Sequence, residues 1–450
     1  MQILIVGCGK VGKALTEQLS KEDHNITVMD TDADKVRHLS DVYDVMGYVG
    51  NATDYEALQA ADVEHTDILL AVTFSDEANL LCCVLAKKAA NCKTIARVRN
   101  PIYSSGRDHL QKMLGLSMII NPEHAAAREM INLLTTPSAI DISTFAKGRL
   151  NMMRFKLPQD SPLIGKPVKE LGAAYPDLLF CTAEHGDEVV IPDGEYVIRA
   201  DDSLSILAPT TVAQTFFKKT GYRTDAVRSV MIVGGGETSY YLAQILLKMG
   251  IKVTIIEIKK DRCDELAALL PKANIIYGDG TDEDLLREEN IDEMDAFVAS
   301  SGIDEENIIL SLYANDKVRT KVITKISHLE FENLINSLNL DSVINPKEIT
   351  ADYIVQYVRA MDNSVGSNVE TLYKLMHDRV EALEFYIRPG CKLTGIKLMD
   401  MKLKKNVLVA GIVRGNNLIR PAGQDEFKEG DSVIIVTTNS GFRDINDIVR

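Results

Sequence analysis

MQILIVGCGKVGKALTEQLSKEDHNITVMD, residues 1–30, is the stretch on which the reading of the whole chain turns. The apolar run from Ile3 to Val6 reads as a buried strand, and Gly7-Cys8-Gly9-Lys10-Val11-Gly12 follows it as G-x-G-x-x-G. Val11, Leu15 and Leu19 then recur at helical spacing, and a second strand from Ile26 to Met29 ends on Asp30. Strand, tight turn, helix, strand and terminal acid, in that order, form the fingerprint of a dinucleotide-binding half-domain. Gly7 permits the turn, Gly9 lets the backbone approach a pyrophosphate, and Gly12 lets helix and strand pack closely. The helix N-terminus offers unpaired N–H groups and partial positive charge to phosphates. Asp30 would accept hydrogen bonds from ribose hydroxyls and repel a 2′-phosphate, which favours NAD(H) or another adenine nucleotide over NADP(H). Gly7 to Lys13 also fits the start of a P-loop, but Ala14 stands where the magnesium-binding Ser or Thr is needed, so that class of NTPase is rejected.

The 450 residues are enough for roughly two to four domains. With 46% hydrophobic and 26% charged residues, the composition is that of a globular protein. A formal net charge of −15 argues against a nucleic-acid binder. The seven cysteines form no C-x-x-C pair, which points to reduced thiols in a cytosolic protein and not to a disulfide framework or zinc site. Cys82 and Cys83 fall in an apolar helical stretch and read as core residues. The histidines show no metal-ligand spacing. The N-terminal apolar run is too short for a signal peptide, and no apolar stretch approaches the ~18 residues needed to span a bilayer.

Beyond Asp30, strands are expected at Val45 to Val49, Ile68 to Thr73, Thr94 to Val98 and Met118 to Ile120, with helices between them, so the sheet should be parallel and covered on both faces. Asn121-Pro122 opens a long amphipathic helix. From Met152 to about Thr211 the pattern changes to period-2 segments with His-Gly-Asp and Pro-Asp-Gly turns, a small strand-rich module.

The whole pattern then recurs. Gly234-Gly235-Gly236-Glu237-Thr238-Ser239 replays the opening turn ~227 residues later. Glu257 replays Asp30, Gly278 to Asp282 replays Gly50 to Asp54, Asp304-Glu305-Glu306-Asn307 replays Asp76-Glu77-Ala78-Asn79, and Asn345-Pro346 replays Asn121-Pro122. Glu384 to Ile435 replays the small module. The fold class is therefore α/β: two Rossmann-like parallel-sheet domains, each followed by a small α+β module, in tandem duplication. The expected domains are 1–140, 145–224, 225–365 and 370–450.

Ligands of doubly wound sheets lie at the carboxyl ends of the strands. The first site should therefore be lined by Gly7, Cys8, Gly9, Lys10, Val11, Asp30, Asn51, Thr53, Thr73, Phe74 and Arg97, with Arg97 able to fork onto a phosphate. The matching second set is Gly234, Gly235, Gly236, Glu237, Thr238, Glu257 and Asp279. Ser239 replaces the third glycine there, Glu237 replaces Lys10, and Lys325 falls where Arg97 stood, so the second site should bind more weakly. The small modules, roughly 60–70 residues each, are short for a substrate domain and carry no Cys/His or Ser/His/Asp constellation. His185 reads as a plain turn residue. A ligand-sensing regulator with no catalytic or metal-binding residues is the reading preferred. An NAD-dependent oxidoreductase of unknown substrate is the alternative, and a structural protein with a dead Rossmann fold the third.

ILIVGCGKVG, VMD at Asp30, GNATD and GDGTD, AVTFSDEAN and IARVRNP together resemble the TrkA family, the peripheral subunits of Trk potassium-uptake systems, built from tandem RCK domains (regulators of potassium conductance). The resemblance covers essentially the whole chain. It implies a non-catalytic protein on the cytoplasmic face of the cell membrane, with NAD(H) and ATP or ADP bound in the Rossmann lobes. It further implies a homo-oligomeric ring of lobes, expected to be a tetramer, that gates a potassium-conducting integral membrane subunit. The helices after Asn121-Pro122 and Asn345-Pro346 correspond to the family's lobe-pairing elements.

Overall fold

Six parallel strands form the first sheet: β1 (Gln2–Val6), β2 (Asn25–Asp30), β3 (Met46–Val49), β4 (Ile68–Ala71), β5 (Lys93–Arg97) and β6 (Met118–Ile120), in the spatial order 3-2-1-4-5-6. Ile3 to Val6 and all of β4 are buried, as central strands covered by helices on both faces must be. The order reverses between β1 and β4, and that switch point opens a crevice at the strand carboxyl ends. The computed structural model describes the chain apart from residues 23, 105, 187, 223–225, 328–337, 339, 363–368, 377, 378, 416 and 443, and apart from the side chains of 101, 104, 107, 147, 360, 362 and 374. Asp187 of the His-Gly-Asp turn and the expected boundaries at 224, 225 and 365 lie outside the described residues.

The second parallel sheet repeats this order with Asn274–Tyr277, Lys252–Glu257, Ser229–Val233, Ala296–Ala299, Lys321–Lys325 and Ser342–Ile344. Helix starts follow the local chemistry. Asp32 caps Ala33–Tyr43 by accepting from Asp34 N and Lys35 N, and Ser75 caps Asp76–Ala89 by accepting from Ala78 N. Each small module is a five-stranded antiparallel sheet. The first runs in space Glu188–Val190, Leu179–His185, Ser203–Ala208, Leu150–Lys156, Asp141–Phe145. The second runs Asn417–Ile419, Val407–Arg414, Ser432–Thr437, Val380–Tyr386, Val369–Leu375. Asp141–Phe145 lies before Met152, where the sequence pattern places the first module's onset. Its polar Ser143 and Thr144 mask a strand that pairs with Leu150–Lys156.

Like packs with like, although the chain alternates lobe and module. One compact unit comprises Met1–Ile131 with Val227–Val358, the two parallel-sheet lobes; the other comprises Asn132–Ala226 with Arg359–Arg450, the two modules. In the first unit the His124 ring packs edge-on against Tyr241 at 5.4 Å, and the Tyr241 hydroxyl donates to Arg99 O at 3.2 Å. Asn121 Nδ2 lies 3.1 Å from that hydroxyl, and Gln18 Nε2 donates to Asp352 Oδ1 at 3.0 Å. In the second unit one apolar cluster joins Phe145, Met152, Cys181 and Leu207 to Val380, Ala382, Ala410 and Ile434. Both the modules and the lobes thus share their apolar or polar seams with their own copies.

His185 is not a plain turn residue. It ends the strand Leu179–His185, and its Nδ1 lies 2.9 Å from the fully buried Asp202 carboxylate, which also accepts from Tyr196 Oη and Arg199 N. In the second module Arg414 holds the matching Asp431 through two bonds of 2.8 Å.

Candidate nucleotide-binding site

The three glycines of the first turn are glycines for three different reasons. Gly7 has φ +103°, and a Cβ there would sit 2.8 Å from Thr73 N, so both conformation and space require it. A Cβ on Gly12 would lie 1.8 Å from Gly7 O, so it is needed for helix–turn packing. Gly9 has ordinary extended backbone, φ −74° and ψ −167°, and a Cβ there would meet nothing within 4 Å. Nothing in the chain's own packing needs a glycine at this position, and the missing side chain leaves an open approach to the backbone. The helix Lys10–Leu19 begins here with no side-chain cap and no acid in its first turn, so its leading N–H groups and dipole face that opening. A pyrophosphate fits this donor set.

Asp30 braces the turn from β2. Its Oδ2 accepts from Cys8 N at 2.7 Å and its Oδ1 from Asp32 N at 3.0 Å, leaving further lone pairs for ribose hydroxyls. Burial, then the nearby Asp30 charge, pushes the Cys8 thiol up to about 12, so it is a packing group and not a nucleophile.

The facing wall comes from the ends of β4 and β5 and is organised by Asn79. Its Oδ1 accepts from Thr73 N at 2.8 Å and Thr73 Oγ1 at 2.7 Å, and its Nδ2 donates to Arg97 O at 2.9 Å and Thr73 O at 3.1 Å. Asp76 adds bonds from Arg99 N and Asn100 N. Phe74 projects from this wall with 84% of its surface exposed. Arg97 is half-buried: one guanidinium nitrogen donates to Val72 O at 3.4 Å, and its Nε is buried without a hydrogen-bond partner. Burial and then Arg99 hold its pKa down, against Glu123 and Asp76. Asn51 and Thr53 stand farther along the sheet, after β3, and close a turn of their own, with Asn51 Oδ1 accepting from Thr53 N at 3.0 Å.

The second lobe copies the frame and alters the opening. Gly234 has φ +97°, Glu257 Oε2 accepts from Gly235 N at 2.7 Å, and Asn307 clamps Ser301 N and Lys325 O as Asn79 clamps its counterparts. Gly236, like Gly9, would place a Cβ in open space. Here, however, Arg262 lies across the turn, its Nε donating to Gly235 O at 2.7 Å and its terminal nitrogen to Glu237 Oε1 at 3.1 Å. Arg262 also lines a surface groove with Lys259, Lys260, Asp261 and Glu265. Glu237 Oε2 and Ser239 Oγ are buried without hydrogen-bond partners. Thr238 is buried in the helix start, and Asp279 holds Thr281 N at 2.9 Å in a surface turn, which lowers its pKa. Lys325 pairs in register with Ile344 as Arg97 does with Ile120, and its ammonium donates to Ser300 O at 3.1 Å.

Two family models match this chain in alternation, the TrkA-N domain over residues 3–122 and 230–346 and the TrkA-C domain over 152–221 and 382–450. The chain belongs to the TrkA family. Among its relatives, Trk system potassium uptake protein TrkA homolog 1 of Methanosarcina mazei is 31% identical, with 99% of each chain covered. The TrkA homolog of Archaeoglobus fulgidus is 30% identical over the full length of both. Of solved structures, the GsuK channel bound to NAD superposes with a TM-score of 0.62 at 17% identity, covering 97% of this chain and 76% of that one. The GsuK RCK domain does so with a TM-score of 0.62 at 16% identity, covering 97% and 92%, so the RCK fold is shared.

Within this TrkA-family chain, Asn79 and Arg262 escaped the sequence reading as site residues. Asn79 was visible only as part of a repeated D-E-x-N. Arg262 aligns with Lys35, an exposed residue paired with Asp32 at 3.1 Å, so nothing local marks it. Among the described residues no group of His, Cys, Asp and Glu is placed to hold a metal ion, and no helix is long and apolar enough to cross a membrane.

Proposed function

We propose that this protein is a non-catalytic, nucleotide-responsive regulatory subunit of a Trk-type potassium-uptake system. The observation that carries the reading is the open Gly9 turn, with its uncapped, acid-free helix start and its brace on Asp30, set in one of two lobes that pack on each other. Gly7 to Val11, Asp30, Thr73 and Arg97 are the residues assigned to an adenine nucleotide, NAD(H) or ATP/ADP, in the first lobe. Gly234 to Thr238 and Glu257 form the counterpart, which Arg262 covers through its bonds to Gly235 O and Glu237. A ligand shifts a conformational equilibrium only by its difference in affinity between two states. A nucleotide beside a lobe–lobe contact supplies such a difference, typically ~1–3 kcal/mol per site. The partner is an integral, potassium-conducting membrane subunit, and the working form is a ring of lobes from several chains at the cytoplasmic membrane face. The name of the Methanosarcina relative and the NAD-bound GsuK channel support this reading.

The test is calorimetric titration of the full chain with NADH, NAD, ATP and ADP, alongside an assay for NADH oxidation with candidate substrates. Binding without turnover supports a regulator and leads to flux measurements with a Trk-type membrane subunit. Substrate-dependent NADH turnover would make it an oxidoreductase. Binding of none of the four would remove the proposed signal.

A further inference from the structure

The two small modules meet along a seam with two matching margins, and the margins differ. The edge strands Glu188–Val190 and Asn417–Ile419 hold the same place in the repeat. The residues after them read Ile191-Pro192-Asp193-Gly194 in one module and Arg420-Pro421-Ala422-Gly423 in the other. At the second module's margin Arg420 reaches across to the end of the helix Val168–Ala174, where its Nη1 donates to Gly172 O at 3.0 Å and to Pro176 O at 3.1 Å. A Cβ on Gly172 would lie 2.9 Å from Arg420 Nη2, so the glycine makes room for the guanidinium. At the first module's margin Ile191 stands in the arginine's place. A cleft of about 380 Å³ lies there between Val189, Ile191, Pro192 and Asp193 of one module and Asn406 and Thr438 of the other. No lysine or arginine among the described residues lines it. Glu195 at its rim is held by Lys169 at 2.7 Å, whereas Asp193 makes no ion pair among the described residues. Asp193 Oδ1 accepts from Glu195 N and Tyr196 N at 3.0 Å, which fixes the carboxylate and keeps its Oδ2 for a further donor.

We infer that this cleft seats an arginine side chain presented by a peptide segment of a partner protein. The second module closes its margin with an arginine of its own and carries the neutral Ala422 beside it. The first module has no arginine there and carries Asp193 where the other has Ala422, so the cation that completes this margin comes from outside the chain. The lining suits a guanidinium. The Asp193 carboxylate, the Asn406 amide oxygen and the Thr438 hydroxyl are acceptors, and a guanidinium is a planar fork of donors with no acceptor. Val189, Ile191 and Pro192 offer apolar surface to the methylene stem. An anionic ligand would meet the Asp193 charge with no cation in the lining to offset it. The assignment stands whether or not the glycine turns bind nucleotide.

The experiment is calorimetric titration of the full chain, at low salt so that screening is weak, with melting temperatures as a folding control. The probes are acetylated, amidated Gly-Gly-Arg-Gly-Gly and the same peptide with citrulline, the neutral isostere, in place of arginine. The arginine peptide should bind saturably, one per chain, and the citrulline peptide about tenfold more weakly or worse. Ile191→Arg, which copies Arg420, should fill the cleft and abolish binding. Asp193→Ala, which copies Ala422, should weaken the arginine peptide about tenfold; being a surface change, it decides the matter should Ile191→Arg melt early. Absence of saturable binding, equal affinity for the two peptides, or wild-type affinity in Asp193→Ala would overturn the assignment, as would wild-type affinity in a folded Ile191→Arg.

Discussion

Replacing Gly9 by alanine separates the ligand-facing role of the first turn from its part in folding. The backbone at Gly9 is extended and accepts a Cβ, and that Cβ would meet no protein atom within 4 Å. Alanine is a poorer helix N-cap than glycine by roughly 0.5–1 kcal/mol, but it removes unfolded-chain entropy worth about 0.4–1 kcal/mol. The two nearly cancel, so Gly9→Ala should melt within about 2–4 °C of the wild type. Binding should behave differently. The added methyl occupies the space through which a pyrophosphate reaches the turn, and one lost charge-assisted hydrogen bond costs ~1.5–3 kcal/mol, or about ten- to a hundredfold in affinity. Gly12→Ala is the contrast, because its Cβ would lie 1.8 Å from Gly7 O and the helix must shift. That variant should lose stability by roughly 1–3 kcal/mol from overpacking. Calorimetry with NADH and ATP, paired with thermal melts, reads both quantities. Wild-type affinity in Gly9→Ala would refute the idea that phosphates approach there, and a melt as low as that of Gly12→Ala would refute the claim that the position is free of packing.

Arg262→Ala should uncover the second turn, so that titration shows a second, weaker nucleotide site; unchanged stoichiometry would count against the covering role. Asn79 is fully buried and serves Thr73 N, Thr73 O and Arg97 O. Asn79→Ala should therefore cost ~1–3 kcal/mol for each group left unsatisfied, seen as a lower urea midpoint with unchanged slope. Burial, then Lys10, pulls Lys347 from the ordinary 10.5 down to about 8, against Asp304 and Glu348. In the free protein the unfolded chain then holds more protons at Lys347 between about pH 8 and 10.5, so this group makes stability rise with pH across that window. Urea melts across that window should show the rise, and the part of it due to Lys347 should vanish in Lys347→Gln.

How much was legible depended on distance along the chain. The glycine turn, the alternation of strand and helix, the terminal acids Asp30 and Glu257 and the tandem repeat are local patterns, written by φ restrictions and by periodicity. Those placed β6 at Met118–Ile120 and put Arg97 and Lys325 at equivalent positions. Asp141–Phe145 was hidden because a strand half covered by its neighbours need not alternate clearly. His185 was misread because its partner Asp202 approaches only when the antiparallel strands pair.

Sequence alone determined that two nucleotide-type lobes exist, and that the second differs at Glu237 and Ser239. Tertiary structure decided which lobe stays open. Lys35 and Arg262 hold the same place in the repeat, yet one pairs with Asp32 at the surface and the other lies on the Gly235 carbonyl. Glu123 and Lys347 follow matching Asn-Pro turns, yet the charges around Glu123 are Arg97, Arg99 and Lys325, and those around Lys347 are Lys10, Asp304 and Glu348. Periodicity and turn chemistry report on a residue's own segment, whereas the electrostatics of a site are set by charges that only packing brings within a few ångströms.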